Sequence, residues 1–116
     1  MRDIEKRTFD FSIRIVKLCQ HLEERQGVSR TLGRQLLRAG TSIGANVEEA
    51  QAGQSKPDFI SKYAIALKEA RETLYWLRLI TATKVLPAER LSELQTEAEE
   101  LVRIIASIIV SAKVKR

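Results

Sequence analysis

Apolar residues recur along this chain at spacings of three and four, and the rhythm breaks at three short places. Such spacing puts side chains on one face of an α-helix. In a first segment, about residues 7–25, Phe11, Ile15, Leu18 and Leu22 set the stripe, and Phe9, Ile13 and Val16 are expected to widen it. Gly27, tolerant of positive φ, should stop this helix, and Ser29 should cap a second over about 30–52. Its inward residues are Leu32, Leu36, Ile43, Val47 and Ala50, and Gly53 closes it. Gly33, Gly40 and Gly44 lie inside, each costing up to about 1 kcal/mol against Ala, which implies that another helix approaches closely. Ser55, Pro57 and Asp58 announce a third helix over about 57–83, with Pro in the first turn where a missing N–H costs nothing. Phe59, Tyr63, Ala66, Ala70, Leu74 and Leu77 form its stripe. Pro87 opens a fourth, about 87–112, in which Leu91, Leu94, Ala98, Leu101, Ile105, Ile108 and Ala112 hold an unbroken bundle seam.

Short connections force antiparallel neighbours, so the expected fold is all-α, an antiparallel up-down-up-down four-helix bundle forming one domain over 1–116. Only the first few residues and the tail Lys113-Val114-Lys115-Arg116 read as loose. The fourth segment carries more apolar residues than one seam needs. Val102, Ile104, Ile109 and Val110 fall outside it, and they are the expected oligomer interface.

Composition agrees with helix. The 116 residues include only five Gly and two Pro, too few for a turn-rich β fold. The net charge of +5 favours polyanions and says nothing about fold. A single cysteine, Cys19, excludes an intramolecular disulfide and a Cys-rich metal site. No signal-peptide pattern opens the chain, and the most apolar stretch, 101–112, is too short to span a bilayer. The expectation is a cytoplasmic protein without membrane partners.

Catalytic chemistry finds no residues to stand on. A di-metal bundle site needs Glu-x-x-His pairs, and the only histidine, His21, has no such partner. Glu69-x-x-Glu72 and Glu97-x-x-Glu100 have carboxylate spacing without an imidazole. Cys19 and His21 point about 200° apart on one helix, so they form no nucleophile–base pair. No metal, cofactor or enzymatic activity is expected. Arg30, Arg34 and Arg38, by contrast, fall at i, i+4 and i+8 with no acid on that ridge before Glu48. Such a row is either an ordinary solvated face or a site for an anion lying across it. Arg14 and Lys17 on the first helix, with the basic tail, tip the reading toward RNA or DNA. No aromatic residue interleaves those arginines, so phosphate contacts should dominate.

The run from Leu37 through Arg38, Ser42-Ile43-Gly44-Ala45-Asn46 and Glu48-Glu49 to Ala50 resembles the signature of a bacterial family. Asp58-Phe59-Ile60-Ser61-Lys62, the run Ile65 to Thr73 and Tyr75-Trp76-Leu77 extend the likeness over nearly the whole chain. The family is that of four-helix bundle proteins encoded in intervening sequences of large-subunit ribosomal RNA genes. Accessory variability proteins of diversity-generating retroelements are relatives. The resemblance implies a ring of identical subunits, typically a homopentamer, with a positively charged surface toward RNA or DNA. Arg38, Ser42, Asn46, Glu49, Phe59 and Glu72 match family-pattern positions, whereas Lys68-Glu69 and Ala50 depart from the commoner residues. From the residues themselves, Ser42, Asn46 and Glu49 follow one helical edge, and Asn46 or Arg38 could reach Glu72 as a polar tie fixing register. The functional expectation is a homo-oligomeric, non-catalytic, nucleic-acid-binding accessory protein. A protein–protein scaffold without a nucleic-acid role is the alternative.

Overall fold

The computed structural model describes residues 2–53 and 55–114, so Lys115 and Arg116 of the expected loose tail lie outside the described residues. Four helices follow in order: α1, Arg2–Glu23; α2, Val28–Gln51; α3, Lys56–Ala82; α4, Ala88–Val114. Helix α1 packs on α2, α2 on α3 and α3 on α4, and a sparser α4–α1 seam closes the four-helix bundle. The molecule is a rod of 49 × 20 × 19 Å.

Three local expectations change. Helix α1 begins at Arg2 instead of near residue 7, because Ile4, 1% exposed, belongs to the core and anchors the first turn. Ser29 does not cap α2; Gly27 holds the N-cap position at φ 74°, and no side chain caps there. Helix α4 continues to Val114 instead of ending near 112. The start of α3 is as its sequence implies: Ser55 Oγ accepts from the Asp58 backbone N–H at 3.2 Å, with Pro57 in the first turn.

The core runs the length of the rod through Phe11, Ile15 and Leu22 of α1, Leu36 and Ile43 of α2, Tyr63 and Leu77 of α3, and Leu101 and Ile105 of α4. The α2 glycines do let a helix approach. A Cβ on Gly40 would lie 2.9 Å from two carbons of Ile15, and one on Gly44 would lie 3.2 Å from the Thr8 carbonyl oxygen. Helices α1 and α2 therefore approach closely at these glycines.

Surplus apolar surface sits elsewhere than expected. Ile109 is 9% exposed and packs in the chain's own core, while Val102 and Ile104 lie half-buried against it; of the four α4 residues only Val110, 62% exposed, stands clear. Helix α4 is flanked by both α3 and α1, so it buries a wider stripe than one seam. Phe9, Ile13 and Val16 do not widen the inward stripe of α1. They are 57%, 41% and 38% exposed and form an outward one. At 100° per residue they lie about 100–180° round the helix from Ile4, Ile15 and Leu22. Leu37 of α2 shares a shallow groove with Val16, so this unpartnered apolar strip crosses from α1 to α2.

Candidate functional site

The three ridge arginines of α2 diverge, because an i, i+4 row drifts about 40° per step around a helix. Arg30 turns to the α1–α2 connection, where its Nε donates to the Arg25 carbonyl at 3.0 Å and lies 3.8 Å from a Glu23 carboxylate oxygen. Arg34 makes a two-pronged contact with Glu23, at 3.2 and 2.7 Å. Those hydrogen bonds, with the charges of Arg34 and Arg30, hold the Glu23 carboxyl below its ordinary range and raise Arg34. Arg38 reaches the other way, to Glu69 Oε1 at 3.3 Å and to Glu72 on α3. Three guanidiniums thus meet three carboxylates of the same chain. The anion that the row calls for is supplied internally, by residues on α1 and α3 that a reading of α2 alone does not bring near.

The polar tie between α2 and α3 is built on Arg38. Glu72 accepts from Arg38 and, at 3.0 Å, from the Trp76 indole N–H. Asn46 does not reach across. Its amide donates back to the Ser42 carbonyl at 2.9 Å and hydroxyl at 3.1 Å, so Ser42 and Asn46 form a local pair. Glu49 is exposed and outside this network. The member that sequence reasoning missed is Glu69, 9% exposed. Its signal was present: a carboxylate one turn before Glu72, inside the apolar rhythm of α3.

Arg14 and Lys17 face the α1–α4 seam, where a cleft of about 390 Å³ also contains Glu89, Arg90 and Glu93. Arg14 pairs with Glu93 at 3.4 Å, and Arg7, two turns back along α1, clamps Glu97 at 3.0 and 2.7 Å. Mixed charge makes this cleft a weak polyanion site.

The outer face of α3 is different. Lys68, Arg71, Tyr75 and Arg78 recur at 3-4-3 spacing, and all four are exposed. None of the three cations takes part in an ion pair among the described residues. The acids of α3 are Asp58 at its start and Glu69 and Glu72, which turn to Arg38. What remains is a basic strip with one aromatic ring in it. The spacing was legible in the sequence, but which cations stay unneutralised depends on pairing between helices.

No group of three His, Cys, Asp or Glu among the described residues is arranged to hold a metal ion. Cys19 is buried beside Gly33, whose carbonyl accepts from its Sγ at 3.3 Å, and burial pushes its thiol up to about 12. No helix among the described residues is long and apolar enough to cross a membrane.

The sequence matches the family model described as 23S rRNA-intervening sequence protein over residues 2–107. Among solved structures, a protein of unknown function from the S23 ribosomal protein family of Bacteroides thetaiotaomicron is similar. The two are 40% identical with a TM-score of 0.84, over 91% of this chain and 97% of that one. None of the curated proteins matches the chain.

Proposed function

The chain belongs to the 23S rRNA-intervening sequence protein family, and on that premise we propose that it is a non-catalytic, self-assembling module that binds nucleic acid through the outer face of α3. The observation that carries this reading is the distribution of unneutralised charge. Lys68, Arg71 and Arg78 share one exposed face without a carboxylate partner, whereas Arg30 and Arg34 share Glu23 and Arg38 is held by Glu69 and Glu72 within the fold. Binding to phosphates releases their counterions, so a small group of free cations binds usefully at low salt. RNA is the polyanion to test first, since 23S rRNA stands in the family's description.

Self-assembly is supported by the strip of Phe9, Ile13, Val16 and Leu37, which the chain does not itself cover. A second copy is the proposed occupant, in a closed ring that the family resemblance puts at five subunits. A ring would repeat the α3 strip around its circumference, and repetition turns a weak contact into a strong one. The setting is the cytoplasm, where a lone thiol stays reduced.

The test is purification without nuclease, followed by light scattering and an absorbance spectrum. The expected result is a mass several times 13.2 kDa with bound RNA. An assembled protein free of nucleic acid, which heparin also fails to retain, would favour the scaffold alternative. A monomer that binds no polyanion would overturn the whole reading.

A further inference from the structure

We infer that the α3 face binds single-stranded nucleic acid in preference to duplex, with Tyr75 as the platform on which a base stacks. The inference rests on the proposed function and adds which form of nucleic acid the site takes. Lys68, Arg71, Tyr75 and Arg78 span about 15 Å of helix and lie within an arc of about 80°. A stacked strand rising about 3.4 Å per nucleotide lays roughly four phosphates along that length.

Tyr75 is 52% exposed in the middle of the strip, one turn from Arg71 and from Arg78. It is also braced. Its ring meets Trp76 edge-on, with centroids 5.1 Å apart and planes at 74°. Trp76 is pinned by its N–H to Glu72, and Glu72 is held by Arg38. The α2–α3 polar tie therefore orients the aromatic pair, so little freedom is lost when a base stacks on it. Unpaired bases offer a π-face to such a ring whatever their identity. Duplex bases are already stacked inside the helix, so a duplex gains only the phosphate contacts of the three cations.

The experiment measures fluorescence anisotropy of a labelled 12-nucleotide single-stranded RNA, a blunt-ended two-strand RNA duplex and polyglutamate of matched charge. The full chain is compared with Tyr75→Ala, Tyr75→Phe and the paired change Arg71→Gln with Arg78→Gln, each checked for unchanged mass and helix content. Tyr75→Ala should lower single-strand affinity about tenfold while leaving duplex affinity unchanged, and Tyr75→Phe should retain the preference. The arginine change should weaken both RNAs together. Equal loss on both RNAs in Tyr75→Ala, or no loss on either, overturns the stacking inference and leaves the proposed function standing. Polyglutamate bound as tightly as the single strand overturns it in favour of an acidic protein partner. Wild type that binds neither RNA overturns this inference and the proposed function together.

Discussion

Replacing Arg38 by Met removes the cation shared by two carboxylates of α3 and leaves each in a different position. Glu69, its side chain 11% exposed, loses its charge partner at 3.3 Å. Stranding a nearly buried acceptor costs about 1–3 kcal/mol. Glu72 is 30% exposed and keeps the Trp76 N–H at 3.0 Å, so its share is about 0.2–1 kcal/mol. Arg38 itself is half exposed, so the total stays below the roughly 3–5 kcal/mol for breaking a fully buried pair. The expected loss is about 2 kcal/mol. For a chain of 116 residues that lowers Tm by roughly 8 °C. Urea unfolding followed by circular dichroism, at several protein concentrations so that assembly is separated from folding, reads this directly. Adding Glu69→Leu to Arg38→Met should recover most of the loss, since the stranded carboxylate is gone. Arg34→Met is the comparison, because it frees only the exposed Glu23 and should move the midpoint little. An Arg38→Met midpoint equal to that of Arg34→Met would show that Glu69 and Glu72 gain no stability from Arg38.

The packing carries further consequences at Gly40, Cys19 and the outward strip of α1. Gly40→Ala should destabilise by about 1–2 kcal/mol despite its better helix propensity, because the new Cβ meets Ile15 at 2.9 Å; urea midpoints decide the sign. Cys19 should resist a thiol reagent at pH 8 until the protein unfolds, since burial raises its thiol to about 12. Because the unfolded thiol ionises near 9.0 and the folded one does not, stability should fall as pH rises from 9.0 toward 12, and Cys19→Ala should remove that part of the slope. Phe9→Asp with Ile13→Asp should give a folded monomer by light scattering, whereas Ile109→Asp should unfold the chain instead of dissociating it.

The periodicity that defines each helix is set by local geometry, and so the four elements and their seams could be read directly from Leu91 through Ile108 or from Phe11 through Leu22. Close packing at Gly40 and Gly44 was legible for the same reason: glycine inside a helix has a cost that a near neighbour explains. Less was legible where pairing crosses between helices. Arg34 and Arg38 look alike on α2, yet one is neutralised by α1 and the other by α3. The row therefore reads as free charge until its neighbours are in place. Asn46 reads in sequence as able to reach Glu72 on α3, yet the partner one turn back on its own helix, Ser42, takes its amide. The outward stripe of Phe9, Ile13 and Val16 was a different failure, since their angular distance from Ile15 was already present in the spacing.

In the proposed mode of binding Lys68, Arg71 and Arg78 of α3, and not the paired arginines of α2, meet the nucleic acid. Its most direct test is the salt dependence of affinity for a single-stranded RNA, compared between Arg71→Glu with Arg78→Glu and Arg30→Glu with Arg34→Glu. The α3 variant should bind far more weakly, and its slope of log affinity against log salt should flatten by about 0.7 for each phosphate the variant no longer neutralises. The α2 variant, if folded, should bind nearly as wild type does. Wild-type RNA binding that survives reversal of Arg71 and Arg78 and disappears on reversal of Arg30 and Arg34 would place the site on α2 instead, and no wild-type binding at about 50 mM salt would remove the α3 site altogether.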